Sequence, residues 1–508
     1  MKYFIACFLI SLANWALAST LIVPDQYTTI QAGIDAASTG DTVLVQPGTY
    51  TESIDYNGKG ITVSSLFFTT QDTSYIGNTI IDAQQQAFHV VEFTSNETSS
   101  SKLIGFTITG GLANGDETDD QRGGGIYAVM AYPHIAHCRI SGNEAADCGG
   151  GASLMGSAFH DPVVVSCSFV NNTSNLYGGG LHLIGLHGEA GVQDCLFQNN
   201  HALHGGGMSV LGYGVEIHNS RFIDNTATCE AGGIRFTGDG VISRCAFFHN
   251  QSARGAAIVQ TRNESPQFSD VAILNCTITG NTSTEAGGAM YGTGGSETVL
   301  VNTIAYGNEP QEIAFCDSLM ENTITVAYSD IEGGQTAIID NGNTEINWQT
   351  GNIDADPRFE NPATGQLELT ENSPCIDSGT AAFTYNGHTY LNMSSDEYTG
   401  SAPDMGAYES ANEDIGEADA PQAQVSIVVY PNPFNPETTV SFSLPIGSQA
   451  TVDIYDIRGQ RVERICDRRF SAGEHSLVWN ADRFGSGVYL VRMNADGHSV
   501  TKRVTLLK

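Results

Sequence analysis

The chain is poor in positive charge. Of its 508 residues only 21 are Lys or Arg, against 56 Asp or Glu, and the net charge is −35. Charged residues of both signs make up just 15%, below the ~25% usual for soluble domains. The acidity therefore comes from missing cations, not from crowded carboxylates. Such a chain repels phosphate backbones and anionic headgroups, which excludes nucleic-acid or membrane binding through a basic face. Long apolar runs are scarce too: beyond the N-terminal segment nothing approaches the ~20 consecutive apolar residues of a membrane-spanning helix. No Cys-x-x-Cys pair occurs, which disfavours zinc, and no G-x-S-x-G, Walker or Rossmann pattern occurs. What is plentiful is glycine, 57 residues, with much Asn, Ser and Thr, and these disfavour helices. Hydrophobic residues at 41% are enough for a core, which excludes a largely disordered chain.

Residues 1–18 read as a secretory signal. Lys2 is the positive start, an apolar stretch follows from Tyr3 to Leu12, and Ala16-Leu17-Ala18 is an A-x-A site. Cleavage is expected between Ala18 and Ser19, placing the mature chain outside the cytoplasm. Eleven cysteines are present, and export would permit disulfides.

Between about 120 and 310 the chain repeats. Glycine clusters stand at Gly123, Gly149, Gly178, Gly205, Gly232, Gly255 and Gly287, the sixth degenerate. Asn143, Asn172, Asn200, Asn225, Asn250, Asn281 and Asn308 follow one another at 29, 28, 25, 25, 31 and 27 residues. From each of the first six to the next cluster there are 4 to 6 intervening residues. Five residues before six of these asparagines stands Cys138, Cys167, Cys195, Ser220, Cys245 or Cys276, opening a short strand with apolar alternation. Strand and turn at about 27 residues is the period of a parallel β-solenoid coil. Stacked coils bury a continuous core that one coil alone cannot. Equivalent residues then form ladders, and Asn and Gly tolerate the left-handed backbone that sharp corners need. The cysteine ladder reads as packing, although the stacking distance also falls within the range a disulfide accepts.

These repeats resemble those of right-handed parallel β-helices of the pectin lyase-like class. The glycine triplets with Phe-x-x-Asn are also similar to the repeats of polymorphic outer-membrane proteins. The segment from Ile22-Val23-Pro24 through Gly48-Thr49-Tyr50 resembles the opening of secreted β-helices, where a short helix, here Gln31 to Ala37, caps the first coil. Ile353 to Phe359, Ser373 to Gly379 and Pro403 to Glu409 resemble the last coils of the same family. The fold expected is all-β, a right-handed parallel β-helix of about ten coils over 19–410 followed by a small Ig-like β-sandwich.

Residues 411–427 read as a linker. From 428 to 508 short strands alternate with turns, expected at Thr438 to Leu444, Ala450 to Tyr455, His475 to Trp479, Gly487 to Met493 and Ser499 to Leu507. Residues 425–508 carry +2, leaving −37 on the rest. The Pro431-Asn432-Pro433-Phe434-Asn435-Pro436 opening, Val452 to Gln460, Gly487 to Arg492 and the basic ending at Lys508 resemble the C-terminal sorting domain of the type IX secretion system. That resemblance implies export through outer-membrane secretion machinery and display at, or release from, the cell surface.

Enzymes of the pectin lyase-like class work on the outer face of the helix, with carboxylates as acid and base or with an Arg base and bound Ca²⁺. The best acidic cluster here is Asp116, Glu117, Asp119 and Asp120. Oxygen ligands at this spacing suit Ca²⁺, and a solvated loop between coils is the plainer reading of the same residues. Asp119, Asp120 and Arg122 are the catalytic candidates. Arg139 and Arg221 are expected outward on one face, and Arg235, Arg244 and Arg254 near corners, any of them able to meet an acidic sugar. His201/His204 and His134/His137 have no obvious carboxylate partner. Tyr127, Tyr177 and Tyr213 are aromatics able to stack on sugars. Two readings stand open: a non-catalytic surface protein that contacts other surfaces or polysaccharide, and a secreted polysaccharide lyase or hydrolase.

Overall fold

The structure, a computed structural model, describes residues 18–508 apart from 87, 158–159, 186–189, 262–269, 318–319, 411–425, 431–433, 445–448, 457–460, 470–472, 496–497 and 507. The expected signal residues before Ala18 and most of the expected linker lie outside the described residues. The chain divides into two compact units, 1–412 and 413–508.

The first unit is a parallel β-solenoid. Each coil is built from short strands, for example Val163–Val165, Ser168–Val170, Thr173–Ser174 and Leu181–Gly185. Equivalent strands of successive coils pair in parallel. One row of eleven runs from Gly48–Tyr50 to Asp330–Ile331, and a row of seven from Leu112–Ala113 to Thr282–Ala286. The remaining parallel strands join into one 21-stranded sheet. They do so because Met208–His218 and Ile234–Ser243 run without a break through both remaining sides of their coils.

Stacking in register puts like on like. Phe169, Phe197, Phe222 and Phe247 are consecutive partners, their rings parallel at 4.9, 4.6 and 4.9 Å between centroids. The seven repeat asparagines are buried and bonded to one another. In each step the backbone N–H and the Nδ2 of one Asn donate to the Oδ1 of the next, as from Asn200 to Asn225 at 3.0 and 2.9 Å. Nδ2 also donates back to a carbonyl of the preceding coil, Phe169 O for Asn200 at 2.9 Å. All four hydrogen-bonding positions of the amide are thereby matched where water cannot reach.

The left-handed corners belong to the residue before each ladder member, not to the ladder Asn itself. Ser166 and Asn171, Asp194 and Asn199, Asn219 and Asp224, and Arg244 and His249 take φ of 48–57°. The ladder Asn needs ordinary backbone to aim its amide inward. The glycine triplets divide their work similarly. The first, such as Gly149, has φ 69°. The second and third sit against the next coil: a Cβ on Gly150 would lie 2.2 Å from Thr173 O, and one on Gly151 2.4 Å from Gly180 O.

The ten described cysteines are free thiols. Cys138, Cys167 and Cys195 stack as a buried ladder, in which Cys138 N donates to Cys167 Sγ and Cys167 N to Cys195 Sγ, both at 3.4 Å. Each thiol donates in turn to a carbonyl two residues back, as Cys167 to Val165 at 3.4 Å. This is packing with weak hydrogen bonds.

Helix α1, Ile30–Ala36, closes the first coil, with Thr29 as its side-chain cap and Ile30 and Ile34 buried. Two one-turn helices that the sequence does not announce, Phe67–Thr70 and Ser74–Asn78, fill a loop farther on. No helix among the described residues is long and apolar enough to cross a membrane.

The segment expected to form the last coils begins as one, with Ile353 pairing in parallel with Asp330, and then departs. The last parallel strand is Thr344–Trp348. Beyond it the strands pair antiparallel, Phe359–Asn361 with Gln366–Leu369 and Ala382–Tyr385 with His388–Asn392. This stretch runs back along the outside of earlier coils. Asn302 Nδ2 donates to Thr380 O at 2.9 Å, Ala407 N to Thr277 Oγ1 at 2.9 Å, and Arg244 Nη2 to Glu397 O at 3.2 Å. Leu369, Cys375 and Met405 bury against Ile304. The outer side of these coils carries apolar residues such as Phe248 and Leu274, and the returning segment covers them.

The second unit holds two antiparallel sheets. One contains Ser426–Tyr430, Glu437–Leu444 and Gly473–Asn480; the other contains Arg461–Arg469, Gln449–Asp456, Gly487–Ala495 and His498–Leu506. Trp479, Phe442, Val452, Ile454, Val491 and Leu506 are buried in its core. Arg461–Arg469 is a strand the sequence hides, because its charges mask the apolar alternation. It lies at a sheet edge, where Arg464 grips buried Asp453 of the neighbouring strand with two bonds of 2.7 and 2.9 Å. Charge on an edge strand also discourages pairing with other chains.

Candidate functional site

Aligning the glycine triplets brings one outer column into view. The residue just before each triplet is Cys148, Tyr177, His204, Glu230, Arg254 and Ala286 in successive coils, and each pairs with the next in register. Arg122 holds the same place before Gly123. A second column lies beside it on the following strands. It runs Tyr127, Ser153, His182, Ser209, Arg235, Val259 and Tyr291. The two columns form one strip along the solenoid.

Glu230 is its electrostatic centre. Its carboxylate stands 3.3 Å from His204 Nδ1, 3.4 Å from Arg235 Nε and 3.6 Å from Arg254 Nη2. Arg254 also reaches Glu285 at 3.5 Å. His204, followed by Arg235 and Arg254, holds the Glu230 carboxyl below its ordinary range, against the opposing effect of burial. Rings frame the charges: Tyr177 stacks on His204 at 5.3 Å, Arg235 lies 5.4 Å over Tyr177, and Arg254 lies 5.7 Å over Tyr291. His182 is buried within the strip, which pushes its pKa down to about 4 and leaves it neutral. A half-buried cluster of carboxylate, imidazole and two guanidinia can hold hydroxyl and acidic groups by charge-assisted hydrogen bonds.

The strip gathers several residues that the sequence singled out separately. Arg122, Tyr127, Tyr177, His204, Arg235 and Arg254 all belong to it. Glu230, His182 and Tyr291 were missed. His204 does have a carboxylate partner, contrary to expectation: Glu230 lies 26 residues away in sequence and one coil away in space. Tyr127 is buried, not exposed. Burial pushes its phenol up, and the hydrogen bond to Asp119 adds to this.

The acidic cluster does not close around a common point. Asp119–Gln121 is a single 3₁₀ turn, and Asp116, Glu117 and Asp119 are exposed while Asp120 is half-buried. Among the described residues no group of three or more His, Cys, Asp or Glu stands where it could hold a metal ion. Arg122 Nε is tied to Asp147 at 2.7 Å. Arg139 and Arg221 are exposed on one row with Ser168 and Leu196 between them. Arg244 secures the returning segment. His201 bonds Thr226 at 2.9 Å, and His137 packs on Phe67 at 4.6 Å.

Residues 428–506 match the family model of the secretion system C-terminal sorting domain. No curated protein and no solved structure matches the chain. The second unit is therefore a sorting domain of the type IX kind, which marks the protein as secreted or held at the cell surface.

Proposed function

We propose that this is a non-catalytic, cell-surface β-helix protein of pectin lyase-like architecture, whose outer strip contacts polysaccharide. It leaves the cell by its N-terminal signal and then through outer-membrane secretion machinery that reads the C-terminal domain. The observation that carries the glycan reading is the strip itself. Tyr177, His204, Glu230 and Arg254 occupy successive coils, so ring and charge recur along the rod as sugar units recur along a chain. A chain with only 21 basic residues also spends three of them, Arg122, Arg235 and Arg254, on this one strip.

The test is retention of the full chain on immobilised neutral and acidic polysaccharides, with Tyr177→Ala and Arg254→Gln as variants. Losing a charge-assisted contact should weaken binding about tenfold. No retention on any glycan, or retention indifferent to both variants, overturns the reading. The His204–Glu230 pair favours a second reading, a polysaccharide lyase or hydrolase acting at the same strip. Release of unsaturated or reducing sugars, abolished by Glu230→Gln, would replace contact with catalysis.

A further inference from the structure

A second site lies away from the strip. A cleft of about 580 Å³ opens between the solenoid wall and the returning segment. Its floor comes from three successive corners. Phe248 pairs with Thr279, and Thr279 with Tyr306, so two rings stand two coils apart, about 10 Å at the strand spacing. Gly280 lies between them against His249, where a Cβ would come within 3.1 Å of the imidazole ring. His249 stacks on Phe248 with centroids 3.7 Å apart, and Phe359 of the returning segment adds a third apolar wall.

The charge around this cleft is lopsided. Asp356 lines it, and the Glu332 carboxylate accepts from Gly307 N in its wall at 2.8 Å. Asp330 and Asp354 stand behind, accepting from Ala355 N and Gly333 N, each at 3.1 Å. After burial, these four carboxylates are what raise the Tyr306 phenol above its ordinary value. Arg358 opposes them, but its Nη1 donates away to Asn372 O at 2.9 Å. His249 faces Asp224 at 3.7 Å. Aromatic faces inside an excess of carboxylates select cations, since the ring quadrupole and the field act with the same sign. The volume suits a small molecule.

We infer that this cleft binds a small organic cation, its ammonium or guanidinium group over Tyr306 and its apolar frame against Phe359. The inference does not depend on the glycan reading of the strip.

The experiment is calorimetry or ligand-observed NMR on the full chain, with phenethylammonium, the neutral phenethyl alcohol and the anionic phenylpropionate as probes. A desolvated cation–π contact of about 2 kcal/mol predicts that the ammonium binds about 30-fold tighter than the alcohol, with the carboxylate weakest. Tyr306→Ala should erase the preference and Tyr306→Phe should keep it, which separates loss of the ring from loss of the fold. Asp356→Asn should weaken the ammonium and leave the alcohol unchanged. Equal binding of the three probes, or a preference indifferent to Tyr306→Ala, overturns the inference. Binding of lysine-rich peptide but of no free amine overturns the small-molecule assignment.

Discussion

The Asn ladder makes a quantitative prediction. In Asn225→Ala the Oδ1 that accepts from the Asn200 backbone N–H at 3.0 Å and from Asn200 Nδ2 at 2.9 Å disappears. So does the Nδ2 that donates to Phe197 O at 2.9 Å and to Asn250 Oδ1 at 3.0 Å. Both neighbouring asparagines are fully buried, so water does not step in. Asn200 N–H loses its partner and the Phe197 carbonyl loses one. Stranded buried groups cost about 1–3 kcal/mol each, and the change should total about 4 kcal/mol. In a solenoid that loss stays with the neighbouring coils. Local opening should therefore become about 1000-fold more frequent there, at 1.4 kcal/mol per tenfold. Hydrogen exchange read by mass spectrometry checks this: the peptide over 196–204 should lose protection while residues 42–65 of the first coils keep theirs. A change below tenfold at 196–204, or an equal change in every coil, refutes the reasoning.

Glycine offers a paired test. Gly150→Ala should cost about 3 kcal/mol or more, because its Cβ would lie 2.2 Å from a backbone oxygen of the next coil. Gly77→Ala, helical with nothing within 4 Å, should stabilise by up to about 1 kcal/mol; thermal unfolding of both decides. Burial raises the Glu312 carboxyl from its ordinary 4.5 to about 8. The folded form then holds the extra proton, so stability should be highest below about 4.5 and fall as pH rises toward 8. Glu312→Gln should flatten that fall in melting curves taken across the range. Deleting 428–508 should stop delivery to the cell surface, and fractionation should find the protein in the periplasm; normal display without the module refutes its sorting role.

The solenoid was legible because its chemistry is local and repeated. Cys167, Phe169 and Asn172 recur at fixed offsets, with Gly178 close behind at a nearly constant one. Helix α1 was legible within one residue for the same reason. The returning segment was not. Its Asp-Pro-Arg-Phe and Ser-Pro-Cys motifs say how the chain bends, but not that Leu369 will settle on Ile304. Arg461–Arg469 escaped because an edge strand need not show a clean apolar face. The site was half-legible. Arg122, Tyr177, His204 and Arg254 could be named one by one, yet their company could not, since coils of 25 to 31 residues blur any fixed spacing. Reading back one residue from each glycine triplet would have found Glu230, with Ala231 standing in for the first glycine at φ 58°.

The ladder of amides also has a sense. In the bonds between rungs the protons all go toward the C-terminal coil, from Gly111 N into Asn143 Oδ1 at one end to Asn308 into the two oxygens of Glu312 at the other. Such a one-way chain polarises along its length. It can be lengthened by slipping in another coil at any rung, because each rung presents the same acceptor behind and the same donors ahead. It cannot end on another amide, whose own donors would be left facing nothing. A carboxyl side chain, whose two oxygens take both donors of Asn308, is the natural full stop. The length of this amide ladder, though not of the rod, whose parallel strands run on to Thr344–Trp348, is thus written by the position of a single Glu.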